Sequence, residues 1–361
     1  MKTSFDNLIQ NLLQKAMTDK IPMNGSFELT SRCNLNCRMC YIHNRNNACT
    51  AASTELSADQ WIKLASEARD AGMLSLVLTG GEIFLRQDFK TIYEKIAKMG
   101  FQVILYTNGT LIDENTAKWL GKIPPATIEI TLYGASPETY DKVCGNAQAF
   151  LDVINAIDYL LAEGVNVKLK TTVTRNNKED YPALMEFANK RHLPLDIVDY
   201  LIPARSAANT ASSNRLSPAE LLDYRLSIQG NGSTKSEMAQ IDLDLINDLN
   251  VNVQKEIFAF SCNAGSCNFW ITWDGRMTPC GFLEELAALP LKVGLDSAWS
   301  DICDLCKEVP VCEECKTCNA RPFCEVCPAK LKAETGFYDQ PADYLCKFAK
   351  LAQQKFLKQS I

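Results

Sequence analysis

The chain has 361 residues, of which 47% are hydrophobic and 22% charged, with a formal net charge of -6 and a pI of about 5.2. That is long enough to bury a full core and to hold two packed units, and the acidic balance argues against a nucleic-acid partner. The sequence has no signal-like N-terminus and no apolar run of membrane length, so a cytoplasmic protein with no membrane partner is expected; sixteen cysteines there point to metal rather than disulfides.

Residues 1–24 place Phe5, Leu8, Ile9, Leu12 and Leu13 at helical spacing, which predicts a short helix lying on the body. A strand follows over Phe27 to Thr30, and directly after it come Cys33, Cys37 and Cys40. Three soft thiolates so close together suit a 4Fe-4S cluster, and three protein donors leave one iron open to an outside molecule. Structural zinc is the alternative; it would need a fourth donor, and His43 stands in range.

From 25 to 204, strand-like and helix-like segments alternate. Leu76 to Thr79, Val103 to Thr107, Thr127 to Leu132, Val165 to Thr174 and Leu195 to Leu201 read as further buried strands, with a helix from Ser57 to Ala71 capped by Ser57. Six strands separated by helices predict an α/β fold, a partial (β/α)6 TIM-like barrel, whose chemistry gathers at the C-terminal strand ends. Those ends carry Gly80-Gly81-Glu82, Tyr106-Thr107-Asn108-Gly109 and Thr131-Leu132-Tyr133-Gly134. Two glycines would let a ligand approach the backbone, and the carboxylate would meet a cation. For Asn108 and Thr131, ordinary turn chemistry is an equal alternative. Residues 205–255 are rich in Ser, Asn, Ala and Gly around one helical stretch, Pro218 to Ser227, and read as a bridge that partly covers the site.

Residues 256–361 hold eleven of the sixteen cysteines. Phe269 to Trp273, the turn Asp274-Gly275 and Met277 to Cys280 predict a hairpin that returns Cys280 toward Cys262 and Cys267. Cys312, Cys315, Cys318, Cys324 and Cys327 then crowd together, and Cys346 falls in a helical pattern. Cys303 and Cys306, three apart in a helix, read as small apolar packing residues.

The C-x3-C-x2-C spacing at the end of a first strand, with Gly80-Gly81-Glu82 at the end of the next, resembles the radical S-adenosylmethionine (radical SAM) superfamily. The resemblance implies that Cys33, Cys37 and Cys40 hold a 4Fe-4S cluster whose open iron chelates SAM. It also implies that Gly80, Gly81, Glu82, Asn108, Thr131 and Met39 line the SAM site, Met39 standing where family members commonly carry an aromatic. The pattern Gly275-x4-Cys280, Cys315-x2-Cys318-x5-Cys324-x2-Cys327 and Cys346 resembles the SPASM extension, which houses two auxiliary 4Fe-4S clusters. The implied ligand sets are Cys262, Cys267, Cys280 and Cys327 for the first, and Cys315, Cys318, Cys324 and Cys346 for the second. In many relatives the position of Cys267 is not cysteine and an iron is left open; Cys312 is a candidate substitute ligand, and zinc is the alternative for this field too.

SPASM enzymes typically modify peptides or proteins. The resemblance implies reductive cleavage of SAM to a 5'-deoxyadenosyl radical, hydrogen abstraction from a peptide or protein substrate, and an electron donor such as flavodoxin or ferredoxin. Sulfatase-maturating relatives place an aspartate after the cysteine that ends the hairpin, whereas here Gly281 follows Cys280, which demotes formylglycine formation. The expectation is maturation of a ribosomal peptide by a thioether or other crosslink, ahead of epimerisation; a small-molecule substrate stays open, as does a noncatalytic multi-cluster electron carrier. With about two dozen residues before the first strand, leader recognition is expected from a separate protein, from the barrel itself, or not at all.

Overall fold

The computed structural model describes residues 4–42, 54–205, 213–229, 259–260 and 262–359; His43, Cys49 and most of the bridge at 205–255 lie outside the described residues, as do the side chains of Phe5, Leu8 and Ile9. One eight-stranded sheet organises the chain, in the spatial order β6-β5-β4-β3-β2-β1-β7-β8. The strands are β1 (Asn24–Glu28), β2 (Ser75–Thr79), β3 (Gln102–Thr107), β4 (Thr127–Thr131), β5 (Val167–Thr172), β6 (Leu195–Val198), β7 (Asn268–Ile271) and β8 (Met277–Thr278). All neighbours pair parallel except β7 with β8. The sheet does not close, so a partial barrel results.

The first six strands follow the sequence-based expectation, with β1 beginning and ending a little earlier. The last two add to it. The hairpin does not stand apart: β7 lies parallel against the open edge of β1, Ser26 opposite Trp270 and Phe27 opposite Ile271. Edge pairing satisfies the unpaired backbone groups of β1. Phe269 and Ile271, both fully buried, continue the apolar face that Phe27 begins.

Period-two alternation sorts each strand's side chains between two faces. Leu76, Leu78, Val103, Leu105, Ile128, Ile130, Val167 and Leu169 are buried in the main core beneath the helices. Val77, Ile104, Tyr106, Glu129, Lys168 and Lys170 alternate with them and face the concave side. The helix Ala58–Asp70 is closed at its start by a reciprocal capping box between Ser57 and Gln60, and it buries Trp61 against Phe27 at 5.1 Å between ring centres. Complete burial of one such side chain contributes about 1.5–3 kcal/mol. The helix Ser4–Asp19 buries Ala16 while Leu12 and Met17 stay exposed, and the chain just beyond its end is held where the Trp299 indole donates to the Lys20 carbonyl at 2.6 Å.

The cysteine-rich region touches both edges of the open sheet. On the β1 side it does so through β7 and through the helix Leu295–Glu308, whose Trp299 packs on Phe269 at 5.8 Å. On the β6 side, Tyr200 donates to Glu334 at 2.6 Å, Arg225 pairs with Asp199 and Glu325, and the helix Pro218–Gln229 packs in a second core with the helix Asp343–Gln359. No described helix is long and apolar enough to cross a membrane.

Candidate functional site

The loop after β1 is held from three directions before it reaches its cysteines. Arg86, buried, donates to the carbonyls of Leu29 at 2.7 Å and Leu56 at 3.0 Å. Arg32 forks onto Glu55 at 2.9 and 3.0 Å, and the Thr30 hydroxyl donates to the same carboxylate. From the far side, the N–H groups of Asn36 and Arg38 donate to the carbonyls of Cys144 and Val143 at the end of the helix Pro137–Cys144.

Within this frame Cys33, Cys37 and Cys40 gather, Cys37 buried and the other two half-buried. Burial pushes the Cys33 thiol up to about 12, and the charges of Glu82, Cys37 and Cys40 push the same way. Two donors answer Cys33 Sγ, the Leu35 N–H at 3.4 Å and the Asn108 amide at 3.7 Å, and the Cys37 sulfur has Cys144 and the Tyr133 hydroxyl within hydrogen-bonding reach. Donors aimed at buried sulfur suit thiolates, whose charge they stabilise, and thiolates there require a bound cation. The donor set therefore fits an iron-sulfur cluster. Among the described residues, no three His, Cys, Asp or Glu side chains converge as the ligands of a single ion would.

The glycine pair lies against this loop. A Cβ on Gly81 would sit 2.2 Å from the Arg32 carbonyl oxygen, and one on Gly80 2.5 Å from that of Thr30. Gly81 N–H donates to Thr30 O at 2.7 Å and Glu82 N–H to Arg32 O at 2.8 Å. The missing side chains thus admit the chain's own cysteine loop. Glu82 likewise turns inward: buried, it accepts from Phe84 N, Asn108 N and the Thr107 hydroxyl at 2.8 to 3.1 Å. Burial pushes its carboxyl up against the pull of those donors. Glu82 fastens the end of β3 to the end of β2, and so places Asn108 against Cys33.

Met39 is buried in the main core and Thr131 half-buried at the end of β4. Two features were not anticipated from sequence. Tyr133 reaches Cys37, and its N–H is fixed on the Tyr140 oxygen at 3.2 Å. Lys170 lies over the Tyr106 ring at 4.6 Å and pairs with Glu129 at 3.3 Å, while Lys168 meets Asp196 at 2.5 Å, so the concave face is charged. The alternating Val-Lys-Leu-Lys of β5 is the signal that would have found it. Replacing Tyr133 with phenylalanine is expected to lower the potential of a cluster at Cys37 by roughly 40–60 mV, the equivalent of one hydrogen bond, and to slow SAM cleavage about 10-fold. A redox titration followed by EPR would show it; an unmoved potential would count against the contact.

Two further thiol groups form in the C-terminal region. Burial pushes Cys280 up to about 12, with the charges of Cys327 and Cys262 adding. Cys327 caps the helix Pro328–Thr335 and accepts from Lys330 N at 3.4 Å. Cys267 is fully buried, at the start of β7. The second group contains Cys315, Cys318, Cys324 and Cys346, each within range of others' charge, and Cys312 adjoins it, its carbonyl accepting from Cys315 N at 3.1 Å. Cys303 is buried in the core as expected, whereas the half-buried Cys306 stands within range of Cys280 and Cys262.

Between the first two thiol groups lies a buried ion pair. Glu28, fully buried at the end of β1, meets Arg205 at 2.9 Å and accepts from the Trp270 indole at 2.8 Å. Arg205 also donates to the Gly281 carbonyl, pairs with Glu284 at 3.2 Å, and lies over the Tyr41 ring at 5.2 Å, while its N–H donates to the Tyr41 carbonyl. The residue after Cys40 and the residue after Cys280 are joined by one guanidinium. A Cβ on Gly281 would lie 3.0 Å from that guanidinium and 3.2 Å from Trp270, so the site favours glycine there.

Residues 27–188 match the model of the radical SAM superfamily. The chain is 25% identical to the AdoMet-dependent heme synthase of Methanosarcina barkeri across 91% of its own length and 97% of that protein's. It is 24% identical to the sporulation killing factor maturation protein SkfB of Bacillus subtilis, over 78% of this chain and 65% of SkfB. It spans less than half of other curated relatives, 41% and 34% in two cases. Among solved structures, Streptococcus suis SuiB superposes with a TM-score of 0.71 at 17% identity, covering 96% of this chain and 83% of SuiB. SuiB has also been solved with S-adenosylmethionine and with its precursor peptide SuiA.

Proposed function

The chain is a radical SAM enzyme with the domain of that superfamily over residues 27–188, and from that premise we propose that it modifies a ribosomally made peptide, forming a thioether or other crosslink. A 4Fe-4S cluster with SAM belongs to the superfamily; Cys33, Cys37 and Cys40 are its proposed ligands. When bound, the pair supplies a 5'-deoxyadenosyl radical that takes a hydrogen atom from the substrate. The residues around it orient and shield. Asn108, Leu35 N–H and Tyr133 hold the ligand sulfurs. Gly80, Gly81 and Glu82 lock the cysteine loop to β2, and together with Asn108, Thr131 and Met39 they are proposed to line the SAM pocket. Lys168, Lys170 and Glu129 offer the concave face charged groups that can position a polar substrate away from water. The C-terminal thiol groups are proposed to hold two auxiliary 4Fe-4S clusters, which would supply an electron acceptor or a site for a substrate thiolate; flavodoxin or ferredoxin is the proposed electron source.

The observation that carries the peptide reading is the architecture: two thiol groups beyond the barrel, on a fold shared along 96% of this chain with SuiB, a protein solved with its precursor peptide. A second reading has its own support, since the match to a heme synthase runs almost end to end in both chains; it would place a tetrapyrrole on the concave face. Anoxic incubation of the holoenzyme with SAM and dithionite separates them. Short peptides encoded beside the gene are offered in one arm and iron coproporphyrin in the other, with mass spectrometry as readout. A peptide losing about two mass units per bond supports crosslinking, and unchanged mass with inverted chirality supports epimerisation. Turnover of the porphyrin alone would overturn the peptide reading.

A further inference from the structure

The turn from Cys262 to Cys267 separates its two cysteines into different environments. Ser266, Cys267 and Asn268 all donate their N–H groups to the Asn263 carbonyl, at 3.0 to 3.1 Å, which curls the turn tightly. Cys267 emerges from it already in the sheet: its carbonyl accepts from Asn24 N at 3.0 Å. Its alternation with Asn268 puts it on the face of Phe269 and Ile271, and all three are fully buried. A thiol there is a core residue.

The other side of the same turn is occupied by Cys306. The helix Leu295–Glu308 lays Trp299, Ile302 and Cys303 against the core, and Cys306 continues that stripe by one turn, to where the helix passes the start of β7. Its sulfur lies under the turn. A Cβ on Gly265 would be 2.3 Å from Cys306 Sγ and 2.9 Å from its Cβ, so the turn approaches that sulfur as closely as a glycine backbone allows. The sulfur is also within range of the charges of Cys262 and Cys280, whereas the surroundings that act on Cys267 are burial and Ser266.

We propose that Cys306, rather than Cys267, is the fourth protein donor of the thiol group formed by Cys262, Cys280 and Cys327. This rests on the reading of the C-terminal thiols as cluster ligands. Each sulfur gives up its thiol proton as it takes an iron, and Cys267 keeps its proton in the core. The set then draws on four separate elements: the turn before β7, the loop after β8, the helix Leu295–Glu308 and the cap of the helix Pro328–Thr335.

The test uses the full chain carrying alanine at Cys33, Cys37 and Cys40, so that any iron signal comes from the C-terminal region. Into it go Cys306→Ala, Cys306→Ser, Cys267→Ala and, as a packing control on the same helix, Cys303→Ala. Each protein is reconstituted anoxically with iron and sulfide and read by iron content and by EPR after dithionite reduction. Both Cys306 variants are expected to lose or alter the signal of one cluster, the alanine variant losing up to about four irons per chain. Cys267→Ala and Cys303→Ala should match the parent. Unchanged signals in the Cys306 variants would overturn the assignment, as would the same alteration in Cys267→Ala. A parent devoid of iron would overturn the cluster reading along with it.

Discussion

A chain with alanine at Cys37 is expected to purify folded, to bind about four fewer irons after reconstitution, and to form no 5'-deoxyadenosine above background from SAM and dithionite. Cys37 is the most buried of the three N-terminal thiols and the one met by the Tyr133 hydroxyl. Removing it leaves the cluster two donors in a loop whose backbone is pinned to the end of the helix Pro137–Cys144. That loop cannot slide another cysteine into place. The same result is expected for Cys33 and Cys40, while Cys144, which lies within hydrogen-bonding reach of Cys37, is not expected to substitute. Iron assay, the reduced EPR spectrum and chromatography of the nucleoside check the three parts separately. Full SAM cleavage by the Cys37→Ala protein would refute the assignment of the open-iron cluster to this loop.

The second large effect is expected on stability. Arg205→Ala should destabilise the chain by about 3–5 kcal/mol, because it leaves the carboxylate of Glu28 buried without its counter-charge. Glu28 is fully buried, and burial already pushes its carboxyl up despite the pull of Arg205 and Trp270. Loss of the guanidinium also frees the Gly281 carbonyl and uncovers the Tyr41 ring, while the backbone N–H of residue 205 keeps its bond to the Tyr41 carbonyl. A companion variant identifies the cause. Combining Arg205→Met with Glu28→Gln removes both charges, and it should recover a good part of the lost stability, since the uncompensated ion is the costly element. What the double variant should not recover is the coupling between the loops after Cys40 and Cys280. Urea unfolding of the apo-protein measures the first effect; SAM cleavage by the reconstituted double variant measures the second. An Arg205→Ala chain as stable as the parent would show that water reaches Glu28.

Much of the barrel was legible because its signals are local. Runs such as Leu76 to Thr79 and Val103 to Thr107 end in turn residues, and Ser57 with Gln60 closes its own cap within one turn. Such features depend on neighbours a few residues away. Three placements lie beyond such local signals: what packs on Gly81, what Glu82 accepts from, and which strand the hairpin joins. Each is decided by what comes to lie beside it: the Arg32 carbonyl, the backbone of Asn108, and the free edge of β1.

From the order of its residues alone, this chain committed itself to a thiol-rich loop at the mouth of a parallel α/β sheet, because thiols three and four positions apart must share a neighbourhood whatever else folds around them. Which of the later thiols come near one another depends on tertiary packing, which buries Cys267 and sets Cys306 beneath the turn at Gly265. The pair Glu28 and Arg205, 177 residues apart, shows why. Side chains so distant along the chain are brought together by sheet register and helix placement, and a one-residue shift in β7 would turn Cys267 from the core to the opposite face.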